Sequence, residues 1–329
     1  MVTYLFGAGA SHQVLPTIDG IAERAGQLAS RLSMIRAANP IYEMIKYLSS
    51  VAKREASVDT YARKLYLQGN NRELNKLKVA MMVFFTLEQV RTNPGDKQTI
   101  DTRYENFFAA ILDSQRKIPE SVKILTWNYD SQIEMALHAF QSDTTRNSTT
   151  AYNIKTQYGI LAKNSRDDFP LDKKMIVMLN GTASFRNAVG ESIPLFDNSN
   201  DITFVSLVDV VTKKVQGYTE TFSANNVEYS NLSFAWENDF EGANSFIGKV
   251  QDITKETTSL AIIGYSFPMF NREVDRKIIQ NMVKLKTVYI QDPNAQNIRD
   301  RFKAIRDNIS DENISLNGDT KQFVFPYEL

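Results

Sequence analysis

Thr126-Trp127-Asn128-Tyr129-Asp130 sets an amide and a carboxylate two residues apart, directly after a short apolar run. Such a pair can grip a ribose hydroxyl, hold a water, or stabilise positive charge developing on a sugar ring. The same residues serve equally as a turn former, Asn128, and a helix cap, Asp130. Gly7-Ala8-Gly9-Ala10-Ser11 follows a β-prone run, Val2 to Phe6, and precedes an amphipathic stretch. In a doubly wound fold this strand, glycine turn and helix hold a dinucleotide pyrophosphate: glycines let phosphate approach the backbone, and the helix N-terminus supplies donors. A tight turn alone needs the same glycines. His12 also stands where the dehydrogenase fingerprint has its third glycine.

Three further strand ends carry polar or glycine residues. Leu179-Asn180-Gly181-Thr182 and Gly264-Tyr265-Ser266-Phe267-Pro268 each set a glycine and hydroxyls after an apolar run, suited to phosphate or ribose contacts and equally to turning the chain. Gln291-Asp292-Pro293-Asn294 supplies an acid able to accept a bond from an adenosine ribose or to cap a helix. Five such ends on one edge of a sheet exceed what turns require.

The positioning elements follow from periodicity. Val2 to Phe6, Val122 to Thr126, Met175 to Leu179, Leu260 to Gly264 and Thr287 to Ile290 read as strands, mostly short and uncharged as befits strands covered on both faces. Phe323 to Phe325 is expected to close the sheet, giving about six mostly parallel strands in a doubly wound, Rossmann-like α/β fold. Ile18, Ile21, Ala25, Leu28 and Leu32 mark a first helix, ended by Pro40. Residues 41–117 show helical signals only, too long for a plain crossover, and are expected to form a helical insertion or cap with a loop at Asn93-Pro94-Gly95-Asp96. Residues 1–40 and 118–329 then make the Rossmann-like domain. Gln141 to Asp172 reads as loop, and Pro194 to Phe240 resists assignment.

Composition removes several classes of function. The 329 residues carry 38 Lys plus Arg against 38 Asp plus Glu, so no bulk field recruits nucleic acid or an anionic membrane, and no nucleic-acid partner is expected. Cysteine is absent and histidines number two, His12 and His138, which excludes thiolate nucleophiles, sulfur-ligated zinc and a three-histidine metal site; no metal is expected. No apolar run approaches the length of a membrane helix and the N-terminus lacks a signal-peptide pattern, so a cytoplasmic location is expected.

The motifs GAGAS, TWNYD, a glycine turn after the third strand, GYSFP and YIQDPN, in that order over nearly the whole chain, resemble the sirtuin-like NAD-consuming family, especially its bacterial antiphage-defence branch. The resemblance implies that Gly7, Ala8, Gly9 and Ser11 form the pyrophosphate loop, and that Asn128 and Asp130 stand beside the nicotinamide ribose. It further places Gly264 and Ser266 at phosphate and ribose, Asp292 near the adenosine ribose, and Thr17 and Asp19 in a stretch covering the cofactor. One departure matters: Asn180 stands where the family has a histidine before glycine. Asparagine hydrogen-bonds but cannot act as a base, and losing a general base costs about 10²–10⁴ in rate.

The implied activity is an NAD glycohydrolase, an effector that releases nicotinamide and ADP-ribose from NAD, weakened or silenced by Asn180. The alternatives are a catalytically silent NAD or ADP-ribose binding subunit and an NAD-dependent deacylase. Deacylating relatives usually carry a four-cysteine zinc module that this chain cannot build, which favours free NAD as substrate. Such an activity needs a gate, and relatives commonly assemble. A homo-oligomer is expected, with a HerA-like ATPase as a candidate regulatory partner. The apolar run Met81 to Phe85 is expected to be core or to contribute contacts.

Overall fold

Along each buried strand alternate side chains leave on opposite faces, so an apolar run with both faces covered must sit between two helical layers. The computed structural model, which describes residues 1–35, 38–89, 100–141, 151–164, 170–186, 192–194, 203–223, 230–237 and 245–329, has this arrangement. Its strands are β1 (Val2–Phe6), β2 (Val122–Thr126), β3 (Ile160–Ala162), β4 (Ile176–Met178), β5 (Ser184–Arg186), β6 (Ser192–Pro194), β7 (Ser259–Ile263), β8 (Thr287–Gln291) and β9 (Ile314–Asn317). Seven of them form one parallel sheet in the order β3-β4-β2-β1-β7-β8-β9, and β5 pairs with β6 in an antiparallel hairpin. The chain is therefore a Rossmann-like α/β fold.

The helices are α1 (Ile21–Leu32), α2 (Asn39–Arg54), α3 (Val58–Leu67), α4 (Asn71–Glu88), α5 (Thr102–Ile111), α6 (Gln132–Ala139), α7 (Ala151–Gln157), α8 (Phe204–Ser223), α9 (Phe246–Thr254), α10 (Arg272–Gln280) and α11 (Ala295–Lys303). Tyr4, Phe6, Ile124 and Ile176 project to one face of the sheet and bury against Phe107 of α5, Ile133 of α6 and Ile154 of α7. Leu5, Leu125, Val177 and Ile262 project to the other and bury against α9, α10 and α11. A third core joins α1 to α4 with α8, and reaches Val14, Leu15, Phe185 and Phe234 in segments that follow the carboxyl ends of β1 and β4. This third core is the cap.

Three expectations are corrected. Tyr104, Phe107 and Phe108 of α5 pack on the sheet with Phe6, so the cap ends with α4 and takes in α1 and α8 instead. Phe323 to Phe325 is not a strand; Phe323 plugs an aromatic cluster, 5.1 Å from both Phe6 and Tyr104, and β9 forms the sheet edge. The described part of Gln141 to Asp172 contains α7 and β3, and Pro194 to Phe240 contains α8. Of the two readings of the Met81–Phe85 run, core holds: the run is buried in the cap core. The Asn93-Pro94-Gly95-Asp96 turn lies outside the described residues. Among the described residues no helix is long and apolar enough to cross a membrane.

Candidate functional site

From β1 the chain builds outward through β2 and β4 on one side and, later, through β7 and β8 on the other. The turns after β1 and β7 therefore diverge at the point where an open parallel sheet leaves a crevice. Here the two turns touch backbone to backbone. The Gly9 N–H donates to the Gly264 carbonyl at 2.9 Å. A Cβ on Gly9 would lie 2.7 Å from Gly264 Cα, and one on Gly264, whose φ is +57°, would lie 2.5 Å from Gly9 Cα. Both glycines are thus demanded by the approach of one turn to the other.

Ser11 closes the β1 turn as a buried hub. Its Oγ accepts from Asn128 Nδ2 at 3.2 Å and lies 3.2 Å from the Tyr104 hydroxyl, and the Ser11 hydroxyl helps hold the Asp130 carboxyl down. Asn128 is fixed a second time by its backbone N–H, which donates to Thr126 Oγ1 at 3.0 Å. Its amide nitrogen is committed inward, and its amide oxygen accepts no bond from the described residues. Burial pushes the Asp130 carboxyl up to about 6, against the opposing hydrogen bonds from the Gln132 N–H and Ser11.

Arg103 holds the turn from behind. It forms a buried pair with Asp101, Nη2 to Oδ2 at 2.6 Å and Nε to Oδ1 at 2.9 Å, and donates to the Ala10 carbonyl at 2.9 Å. The Asp101 N–H in turn donates to Gln132 Oε1 at 2.7 Å, which ties α5 to the residue that follows Asp130 and Ser131.

Asp275 of α10 organises the other flank. It accepts from Trp127 Nε1 at 3.0 Å and from the Tyr265 hydroxyl at 2.7 Å, and the two rings stack with centroids 6.2 Å apart. Burial pushes this carboxyl up to about 7, while both hydrogen bonds oppose the rise. Asn180 donates through Nδ2 to the Trp127 carbonyl at 2.8 Å. Its buried Oδ1 has no partner among the described residues, a cost of about 1–3 kcal/mol for an acceptor left unmade. Phe267 holds a left-handed backbone, φ +51°, beside exposed Ser266. Strain of this kind concentrates at functional sites.

The turns after β1, β2, β4 and β7 face one cleft that encloses about 970 Å³ of empty space, its open mouth included. One wall is Gly7, Ala8, Ser11, Trp127 to Asp130, Asn180 and Gly264 to Ser266. The other comes from the cap and the Ser230–Glu237 segment: Val58, Asp59, Met81, Phe85, Phe234 and Trp236. That segment is fastened by Lys163, whose Nζ donates to the Phe234 carbonyl at 2.9 Å, and by the Lys78–Glu237 ion pair at 2.5 Å.

Of the residues predicted from sequence, Gly7, Ala8, Ser11, Asn128, Asp130, Asn180, Gly264 and Ser266 line this cleft. Gly9 sits behind it, packed on Gly264. Thr17 and Asp19 are exposed beside it, while their neighbours Pro16 and Ile18 line it. Asp292 caps the turn into α11, its Oδ1 accepting from the Asn294 N–H at 2.8 Å, and does not reach the cleft. His12 is exposed and bonded to the Gly9 carbonyl at 2.8 Å, and His138 is buried in α6. Asp59, Tyr104, Arg103 and Asp275 were not among the predicted site residues. Among the described residues no cluster of three metal-ligating side chains occurs.

Comparisons with protein-family models, with curated proteins and with solved structures find no match for the chain.

Proposed function

We propose that the cleft binds NAD and cleaves its nicotinamide–ribose bond with water, yielding nicotinamide, ADP-ribose and one proton. The observation that carries this reading is the Asn128–Ser11–Asp130 constellation set between a glycine turn and an aromatic wall at the crevice of the sheet. Pyridinium leaves as a neutral molecule, so the reaction asks for little acid. It asks for a held ribose, a stabilised oxocarbenium-like centre and a placed water. In this reading the turn from Gly7 to Ser11 takes the pyrophosphate, and the uncommitted oxygen of Asn128 orients a ribose hydroxyl or the attacking water. Asp130 supplies negative charge to the developing cation and accepts the proton that water loses. Depletion of NAD as an antiphage effector, in a homo-oligomer gated by a partner such as a HerA-like ATPase, is the biological role consistent with this chemistry.

One observation favours a second reading. The Asn180 amide nitrogen is spent on Trp127 and its oxygen is not a base, so a chain that binds NAD or ADP-ribose and signals without turnover fits the same geometry. Incubating the protein with NAD and quantifying nicotinamide decides. Steady release that Asn128→Ala abolishes supports the hydrolase; tight binding without release supports the binding subunit; release that needs an acyl-lysine peptide means deacylation and overturns both.

A further inference from the structure

Among the described residues that line the cleft, every charged side chain is an acid: Asp59 and Asp130 are present, and no lysine, arginine or histidine. The two differ in their partners. Asp130 accepts from the Gln132 N–H at 3.0 Å, whereas Asp59, in the first turn of α3, has no hydrogen bond or ion pair with any described residue. Arg63, one turn along the same helix, is spent on ring faces, 5.3 Å from the Tyr66 centroid and 5.0 Å from that of Trp236, and does not pair with Asp59. Helix capping does not account for the carboxylate either, because the Ser57 hydroxyl already caps α3 through the Thr60 N–H. Asp59 is half-buried among apolar and aromatic neighbours. Burial pushes its carboxyl up to about 6, and its charge contributes to raising the Tyr129 phenol.

A second group nearby is unmatched. The backbone carbonyl of Asn180 takes the Ser233 N–H at 2.8 Å, which sets Asn180 against the segment that carries Phe234 and Trp236, and its buried Oδ1 has no partner. Phe85 and Tyr129 stack at 5.5 Å, and Phe234 and Trp236 stack at 4.9 Å. An uncompensated carboxylate and an orphan amide oxygen beside the Phe85 and Tyr129 rings form a complement to a weakly hydrated positive charge that carries ring or alkyl surface. A bare metal ion would need more oxygen ligands than this wall offers.

We propose that the cap wall of the cleft is a subsite for an organic cation of the pyridinium or quaternary-ammonium class, with Asp59 as its counter-ion. The proposal shares the cleft with the NAD reading and stands apart from the cleavage chemistry. Both tryptophans of the chain, Trp127 and Trp236, line the cleft, so intrinsic fluorescence reports occupancy directly. The probes are 1-methylnicotinamide, a cation, and 3-methylbenzamide, its neutral isostere, titrated at pH 7.5. The cation is expected to bind about 30-fold tighter, the scale of a desolvated cation–π contact of about 2 kcal/mol. Asp59→Asn is expected to bring the ratio to about threefold or less with the neutral probe unchanged, and Asp59→Glu to keep the preference.

Equal or tighter binding of the neutral probe by the unmodified protein overturns the subsite, as does a full cation preference in Asp59→Asn. The first of these outcomes needs no variant. NAD is titrated alongside. Cation preference without NAD binding or turnover keeps the subsite and removes the NAD reading; NAD turnover without cation preference does the reverse.

Discussion

Asn180→His converts an amide that lines the cleft and cannot act as a base into a side chain that can. The Trp127 carbonyl, which now accepts from Asn180 Nδ2 at 2.8 Å, would accept from the imidazole Nδ1–H and fix the neutral tautomer. Nε2 is then left as the acceptor toward the cleft, beyond the position of the present orphan oxygen. With an ordinary imidazole pKa near 6.5, about nine-tenths of the side chain is unprotonated at pH 7.5, so little base is lost to titration. A positioned base gives about 10²–10⁴ in rate, and the low end corresponds to about 2.7 kcal/mol of barrier. Replacing an unpartnered buried oxygen with a ring carbon also removes an uncompensated acceptor, so the variant should not lose stability on that account. The assay is the initial rate of nicotinamide release at saturating NAD, with the NAD affinity followed by tryptophan fluorescence. A rise of at least about 100-fold at similar affinity is expected. An unchanged rate with intact binding would refute the placement of Asn180 beside the reacting ribose.

Arg103→Met should cost about 3–5 kcal/mol in urea unfolding, since it leaves the Asp101 carboxylate buried without its partner and frees the Ala10 carbonyl; Asp101→Asn with Arg103→Met should cost less than the single change. A single-variant loss below about 1 kcal/mol would show that the pair does not hold the turn. For Asp130, activity should fall as pH drops through about 6, where the carboxylate is lost, and the limb should be absent in Asp130→Asn. Its effect on stability runs the other way. Because burial raises the folded pKa above the unfolded value, the native state holds the extra proton between about pH 4 and 6, so this group's contribution to stability declines as pH rises through that window. Urea unfolding at pH 4 and pH 7 on wild type and Asp130→Asn measures it, and a difference of the opposite sign would refute the burial argument.

The strands that flank the site were legible because β1, β2, β4, β7 and β8 are buried on both faces and read as short apolar runs. β9 escaped because it is an edge strand with its middle residues exposed, and β3 because three residues after Gly159 give no periodicity. α8 opens with Phe204-Val205 and carries Val208, Val210 and Val211, a β-branched richness that argues for strand until packing overrides it. Helical spacing found α5 but could not say which layer its aromatics face; only the contact of Phe107 with Tyr4 and Phe6 does that.

The same division holds at the site. Residues that end a strand at the crevice were found, because position along the chain fixes their edge. Asp59 reads as an ordinary first-turn acid of an amphipathic helix and Asp101 as a helix cap. Their roles arise from elements brought together across the chain, for which local sequence carries no signal. Asp292 shows the converse: it ends its strand on the expected edge, and its carboxylate is used in capping.

A crystal structure of Asn128→Ala soaked with NAD tests most directly whether NAD lies in this cleft with its scissile bond at residue 128. Density for intact NAD is predicted, with the pyrophosphate against the Gly7–Ser11 turn and the nicotinamide ribose within hydrogen-bond distance of Ser11 or Asp130. An empty cleft at saturating NAD, or a dinucleotide bound elsewhere on the molecule, would contradict it.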